Sequence, residues 1–160
     1  MTIKNKRILL TGGAGFIGST IANKLAKSNT ILIYDNFSRN SLQYKSIPEK
    51  QIIKVNGDIR DFEKLKATVE DFKPQIAIHL AAIAGVDTVI NNPIRTMEVN
   101  VQGTFNFLKS LQKHSNLLER VINFSTSEVL GAYSYKATEK SDTKFAAVGE
   151  ARWTYSISKV

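Results

Sequence analysis

The stretch Thr11-Gly12-Gly13-Ala14-Gly15-Phe16-Ile17-Gly18 follows the apolar run Ile8-Leu9-Leu10 and opens a helical pattern at Ile17, Ile21 and Leu25. A strand, a glycine turn and a helix in that order make a site for a dinucleotide. Glycine at every third position, Gly12, Gly15 and Gly18, allows a tight turn, a close approach of a diphosphate to the backbone, and packing of the helix against its strand. The diphosphate then rests on the helix amino end at Phe16 and Ile17, where free N–H groups and the helix dipole favour negative charge.

The second apolar run, Ile31-Leu32-Ile33-Tyr34, ends in Asp35, seventeen positions after Gly18. That is near the roughly 20-residue spacing at which an acid meets the adenosine ribose. A carboxylate there accepts from both ribose hydroxyls and repels a 2′-phosphate, so NAD rather than NADP is the expected cofactor, with Asn36 beside it. Asp35 also suits a plain turn at Asp35-Asn36, and Arg39 in the same loop is the residue that would favour a 2′-phosphate.

Length and composition bound the remaining classes. The 160 residues make one domain, and a chain of that size buries about 70% of its unfolded surface. Apolar residues at 42% and charged residues at 22% suit a globular protein. No window reaches the roughly 18 apolar residues of a membrane span, and Lys4, Lys6 and Arg7 lead directly into a strand. A cytoplasmic protein without membrane contact is therefore expected. The absence of cysteine removes disulfides, thiolate zinc sites and a cysteine nucleophile, and two histidines, His79 and His114, leave no histidine-rich metal site. The net charge of +8 suits anionic ligands, but the lysines are dispersed without interleaved aromatics, so no nucleic-acid partner is expected.

Strands and helices alternate along the chain. Residues 51–55 read as a third strand, and Asp61 as the cap of a helix with the apolar face Phe62, Leu65, Val69 and Phe72. A fourth strand covers residues 75–80, a loop runs through Gly85 and Asp87, and one long helix is expected over residues 94–114. A fifth strand at 120–125 is followed by a loop to Gly149 and a helix begun at Arg152. This order predicts an α/β fold, a doubly wound parallel sheet of Rossmann type over residues 1–160, with its ligand across the carboxyl ends of the strands.

A second constellation is chemical. Ser125-Thr126-Ser127-Glu128 closes the fifth strand, and Tyr155-Ser156-Ile157-Ser158-Lys159 lies near the carboxyl terminus. Tyr155 and Lys159 are four apart and share one face of a helix. An ammonium beside a phenol favours phenolate, which would fit Tyr155 as a general base while a hydroxyl from Thr126 or Ser127 holds the oxygen being oxidised.

With these residues the chain resembles the extended short-chain dehydrogenase/reductase family, in its NAD-dependent nucleotide-sugar epimerase/dehydratase branch. The matching segments are the opening TGGAGFIG, Asp35, Gly57 to Asp61, His79-Leu80-Ala81-Ala82, Asn100 with Gly103-Thr104, Ser125 to Gly131, and YSISK. The resemblance implies that Asp58 and Ile59 flank the adenine, with Asp58 accepting from its amino group. It implies that Leu80, Ala81 and Ala82 line the cofactor, that Asn100 stabilises the long helix near the site, and that Lys159 bonds the nicotinamide ribose and lowers the Tyr155 pKa. His79 is expected to bond locally.

Two departures from the family pattern bear on the reaction. Val129-Leu130-Gly131 lacks a tyrosine that often packs near the sugar, and Ser127-Glu128 stands where many sugar 4,6-dehydratases carry Asp-Glu. The resemblance thus implies an epimerase acting through a transient 4-keto sugar, with a dehydratase or UDP-glucuronate decarboxylase as alternatives and a non-catalytic NAD-binding module as the reading of another class. Family members continue for about as long again. The 160 residues are thus expected to lack the substrate-gripping part, to bind NAD weakly and to turn over little nucleotide sugar, while the full-length protein is expected to be a homodimer.

Overall fold

The computed structural model describes residues 3–46, 48–145 and 149–160. Five parallel strands form one sheet: β1 (Arg7–Thr11), β2 (Thr30–Asp35), β3 (Ile52–Asn56), β4 (Ile76–His79) and β5 (Arg120–Asn123), in the order β3-β2-β1-β4-β5. Leu9 of β1 stands opposite Leu32 of β2 and Ala77 of β4. The strand order reverses between β1 and β4, which is where a doubly wound sheet opens a crevice for a ligand. The expected fold class is the one found.

Helices cover both faces. α1 (Phe16–Leu25) lies on the side of Ile8, Leu10, Ile31, Ile33, Ile76 and Ile78; α2 (Phe62–Phe72) and α5 (Gly103–Gln112) lie on the side of Leu9, Leu32, Tyr34 and Ala77. Because both faces are covered, β1, β2 and β4 read as continuous apolar runs rather than alternating ones. Asp61 caps α2 by accepting from Lys64 N–H at 3.1 Å, and Leu65, Val69 and Phe72 are buried, as the 3.6-residue period predicts. In α1 the pattern holds for Ile21 and Leu25, which pack against the core, and fails at Ile17, which is exposed as Phe16 is; the fully buried positions are Gly18, Ser19 and Ala22, so the closest approach to the sheet is through small residues.

Two other expectations are corrected. The segment after β4 is not only loop, because Gly85, with φ +110°, leads into α3 (Val86–Asn91). The long helix is not uniform: α4 (Pro93–Met97) passes through a π-helical turn, Glu98–Gln102, before α5. Gly103 N–H reaches back five residues to Glu98 O. A π turn sets one residue aside from the helical repeat, and here the buried residue of that turn is Asn100. Gly103 makes the close packing possible, since a Cβ there would meet Ile59 Cγ2 at 2.7 Å. The last helix, α6, covers Thr154–Ile157 after a single 3-10 turn at Ala151–Trp153.

Among the described residues no helix is long and apolar enough to cross a membrane.

Candidate active site

Each strand of the sheet delivers part of the site at its carboxyl end. β1 runs into the glycine loop, and the three glycines meet different surroundings. A Cβ on Gly12, whose φ is +72°, would lie 2.5 Å from Ala81 N, and one on Gly18 would lie 2.5 Å from Gly12 O. On Gly15 it would touch only Gly12 O at 3.4 Å, so that glycine faces open space. Gly12 serves the turn, Gly18 the packing of α1 on the loop, and Gly15 leaves room for a ligand against the backbone. No side chain caps the amino end of α1 and no acid lies in its first turn, so its N–H groups remain available to an anion.

β2 ends in Asp35. One carboxylate oxygen accepts from Ala14 N–H at 2.9 Å and the other from Phe37 N–H at 2.8 Å. Asp35 thereby ties the glycine loop to its own turn, and each oxygen keeps a further lone pair for a ligand hydroxyl. Asn36 accepts from Ser38 N–H. Gly57 follows β3 and passes against the Tyr34 ring so closely that a Cβ would collide with it. The buried Tyr34 hydroxyl donates to Asp58 O at 3.1 Å. Burial, with Asp61 and Asp58 nearby, pushes that phenol up to about 12.

β4 ends in His79, which is fully buried and stacked on Phe107 with ring centroids 4.7 Å apart. Thr104 Oγ1 donates to Asn100 O at 2.6 Å, so it can only accept from His79 Nε2–H, 3.1 Å away. Nδ1 is then the lone-pair nitrogen and accepts from the Thr11 hydroxyl at 2.6 Å. Burial first, and then the Lys159 ammonium, depress the His79 pKa to about 3. The residue is a neutral core histidine joining β1, β4 and α5, in line with the local role expected of it.

After β4 the chain passes Leu80, Ala81, Ala82 and Ile83 along the cleft. Asn100 pins this segment: its Oδ1 accepts from Ile83 N–H at 2.8 Å and its Nδ2 donates to Ile83 O at 3.0 Å. The same Nδ2 donates to Ser158 Oγ at 2.9 Å, and Ser158 Oγ donates to Tyr155 O at 2.7 Å. Asn100 is buried and outside the cleft lining, so it braces the cleft wall and α6 together. Ser125 adds a second brace by donating to Lys159 O at 2.8 Å.

These parts surround one open cleft of about 610 Å³. Gly12, Gly15, Phe16, Ile17, Gly18, Asp35, Asn36, Asp58, Ile59, Leu80, Ala81 and Ala82 line it, together with Tyr155 and Lys159. Ser127 and Glu128 begin the 3-10 turn Ser127–Leu130, which Thr126 caps, and none of the three lines the cleft, although Thr126 hydrogen-bonds with Tyr155. Thr88 of α3, Arg95 of α4 and Val99 of the π turn also line the cleft, in a region that the sequence alone gives as loop and plain helix.

The electrostatics differ from the expected phenolate. Burial raises the Tyr155 pKa and Glu128 raises it further, against a hydrogen bond with Thr126 that lowers it. Lys159 is itself buried, which lowers its own pKa, and its charge acts on His79. In this chain Tyr155 is a neutral phenol near pH 7. Among the described residues no group of acids and histidines could hold a metal ion.

A parallel sheet with a glycine loop, an acid after β2, and a tyrosine and lysine in one cleft is a Rossmann-type dinucleotide-binding fold. The family model for GDP-mannose 4,6 dehydratase matches residues 9–160. A UDP-N-acetyl-alpha-D-glucosaminuronate decarboxylase of Bacillus cytotoxicus is 36% identical over 96% of this chain and 47% of its own length. Among solved structures, a UDP-N-acetylglucosamine 4-epimerase from Methanobrevibacter ruminantium superposes with a TM-score of 0.84 at 25% identity, over 98% of this chain and 48% of that one. The Bordetella bronchiseptica enzyme WbmG, solved with NAD, gives 0.81 at 26% identity over 98% and 47%. The chain belongs to the NAD-dependent nucleotide-sugar epimerase/dehydratase family of extended short-chain dehydrogenases/reductases, and it spans about half the length of the relatives it matches.

Proposed function

We propose that this chain is the NAD-binding part of a nucleotide-sugar 4-epimerase that works through a transient 4-keto sugar. The observation that carries the reading is that Tyr155 and Lys159 line the same cleft as the glycine loop, so a dinucleotide resting there and a sugar hydroxyl at the phenol would be neighbours. The residues fit NAD: Gly15 leaves space where a diphosphate would lie, and Asp35 keeps lone pairs for ribose hydroxyls. When bound, NAD supplies the hydride acceptor and, in its oxidised form, a positive charge close to the reacting atoms.

Such a charge lowers a neighbouring phenol pKa, which Tyr155 requires, because burial and Glu128 hold it protonated in the chain alone. Tyr155 then takes the proton of the sugar 4-hydroxyl as the carbon–hydrogen bond at C4 is oxidised, and Thr126 donates a hydrogen bond at the same place. Tyr155 would return the proton to the keto oxygen when C4 is reduced again, and epimerisation requires that reduction to occur on the other face of C4. Lys159 would hold the nicotinamide-side ribose, Asn100 and Ser125 brace α6, and Ser127 and Glu128, which follow Thr126 outside the cleft lining, are proposed to act only in the full-length site.

A UDP-glucuronate-type decarboxylase is the second reading. It is favoured by the Bacillus relative and by the Ser125-Thr126-Ser127-Glu128 sequence, and it shares the first oxidation at C4. Phe105 and Leu108, exposed on the outer face of α5, support a homodimer of the full-length protein. The test is incubation of that protein with UDP-, dTDP- and GDP-sugars and with UDP-glucuronate, with and without Tyr155→Phe. Inversion at C4 without loss of carbon supports the epimerase; release of carbon dioxide supports the decarboxylase. Turnover that survives Tyr155→Phe rejects both.

A further inference from the structure

The net charge of +8 is unevenly placed along the chain. Residues 1–56 carry nine lysines and arginines against two acids, whereas residues 57–160 carry thirteen against twelve, so nearly the whole excess belongs to the first part. Lysines that are dispersed in sequence also gather on one side of the sheet. Lys24 and Lys27 are exposed on and just after α1, where Thr20, Lys24 and Lys27 keep the spacing of one outer helical stripe. The 3-10 turn Ser41–Tyr44 packs on the same face through buried Leu42 and leads into Lys45. In β3, Lys54 stands opposite Ile33, a core residue of the α1 face, so its side chain projects to that face; Lys50 is exposed just ahead of the strand.

Among the described residues none of these five lysines has an ion-pair partner. The opposite face differs, with Lys66 paired to Glu63 and Lys113 to Glu70. A lysine ammonium is a hydrated point charge on a flexible stem and lacks the fork that fixes a guanidinium on one phosphate. Five of them spread over a face suit mobile anionic groups better than a fixed phosphate array. Tyr44, 80% exposed beside Lys45, is an amphipathic ring of the kind that settles at the headgroup level of a bilayer. The α1 face also lies across the sheet from Phe105 and Leu108, so it stays outward in a homodimer formed through α5.

We propose that the α1 face docks the protein, peripherally and reversibly, on an anionic phospholipid surface. The attraction is electrostatic and uses neither the cleft nor its cofactor, so it stands apart from the epimerase reading. Each lysine near such a surface strengthens binding by about fivefold, and the effect falls off within a Debye length of about 10 Å at about 0.1 M salt.

The test is co-sedimentation of the 160-residue chain with vesicles of phosphatidylcholine alone and with about one third phosphatidylserine, at about 0.1 M and about 0.5 M salt. One variant combines Lys24→Gln, Lys27→Gln, Lys50→Gln and Lys54→Gln; a second combines Lys64→Gln, Lys66→Gln, Lys109→Gln and Lys113→Gln, removing the same charge from the α2 and α5 face. Circular dichroism establishes that both are folded. The wild type is expected to bind only the anionic vesicles and to be released by the higher salt. The first variant should bind at least about fiftyfold more weakly, and the second within about fivefold of wild type. Absence of wild-type binding to the anionic vesicles overturns the proposal, as does an equal loss in the two variants, which would make net charge rather than this face the cause. Binding to duplex DNA without uptake by vesicles also overturns it and assigns the face to nucleic acid instead.

Discussion

Mild acid should destabilise this domain through one residue, His79. Its ring is fully buried between Thr11, Thr104 and Phe107, and its pKa is depressed from 6.5 to about 3. The unfolded chain therefore takes up a proton as pH falls below about 6.5, while the folded chain does so only near 3. Between those values the unfolded state binds more protons, so stability is complete above about 6.5 and declines as pH falls. Each pH unit in the window is worth about 1.4 kcal/mol, so going from pH 6.5 to 5 removes about 2 kcal/mol and the whole window about 5 kcal/mol. That is comparable with the total stability of many domains, which lies at about 5–15 kcal/mol. Urea unfolding followed by circular dichroism at several values between pH 7.5 and 5 measures the slope. His79→Gln, which keeps an amide donor and acceptor and cannot titrate, should remove it. A wild-type stability that is flat across this range, or an equal slope in His79→Gln, would refute the reasoning.

Other expectations concern the glycine loop and the braces. Gly15→Ala, whose Cβ meets nothing closer than 3.4 Å, should melt within a few degrees of wild type, whereas Gly18→Ala drives a methyl to 2.5 Å from Gly12 O and should cost about 1–3 kcal/mol in urea unfolding. Asn100→Ala leaves both backbone groups of Ile83 without their partner at the cleft wall and should cost about 1–3 kcal/mol, read by the same assay. Asp35→Ala releases Ala14 N–H and Phe37 N–H; a loss of about 1–2 kcal/mol and a narrower preference for NAD over NADP are expected, measured by unfolding and by titration.

Much of the fold was legible because its main signals are local. Three glycines after Leu10, an acid after Tyr34 and a capped amphipathic α2 each carry their meaning within a few residues. Glycine roles in particular were readable: Gly12, Gly15 and Gly18 meet a neighbouring loop, open space and the turn itself, as the motif requires. What was not legible depends on contacts far apart in sequence. The π turn at Glu98–Gln102 has no propensity signature; it accompanies Asn100 bonding to Ile83 and Ser158, 17 and 58 residues away. Arg95 escaped notice because a lone arginine on a helix looks like solvated surface until Asp58, 37 residues earlier, is seen to hold it over the cleft. Tyr155 and Lys159 line the same cleft, but α6 ends at Ile157 and leaves Lys159 in the turn beyond it, and four-residue spacing says nothing of burial, which sets the direction of both their pKa values.

The first measurement to make is a calorimetric titration of the 160-residue chain and its Gly15→Ala variant with NAD and with NADP. If the cleft between β1 and β4 is a NAD site, the wild type takes up one NAD per chain, binds NADP more weakly because Asp35 faces the 2′-phosphate, and loses NAD when a methyl group fills the space at Gly15. Equal binding of NAD by the wild type and the Gly15→Ala variant, or no uptake by either, would contradict that assignment.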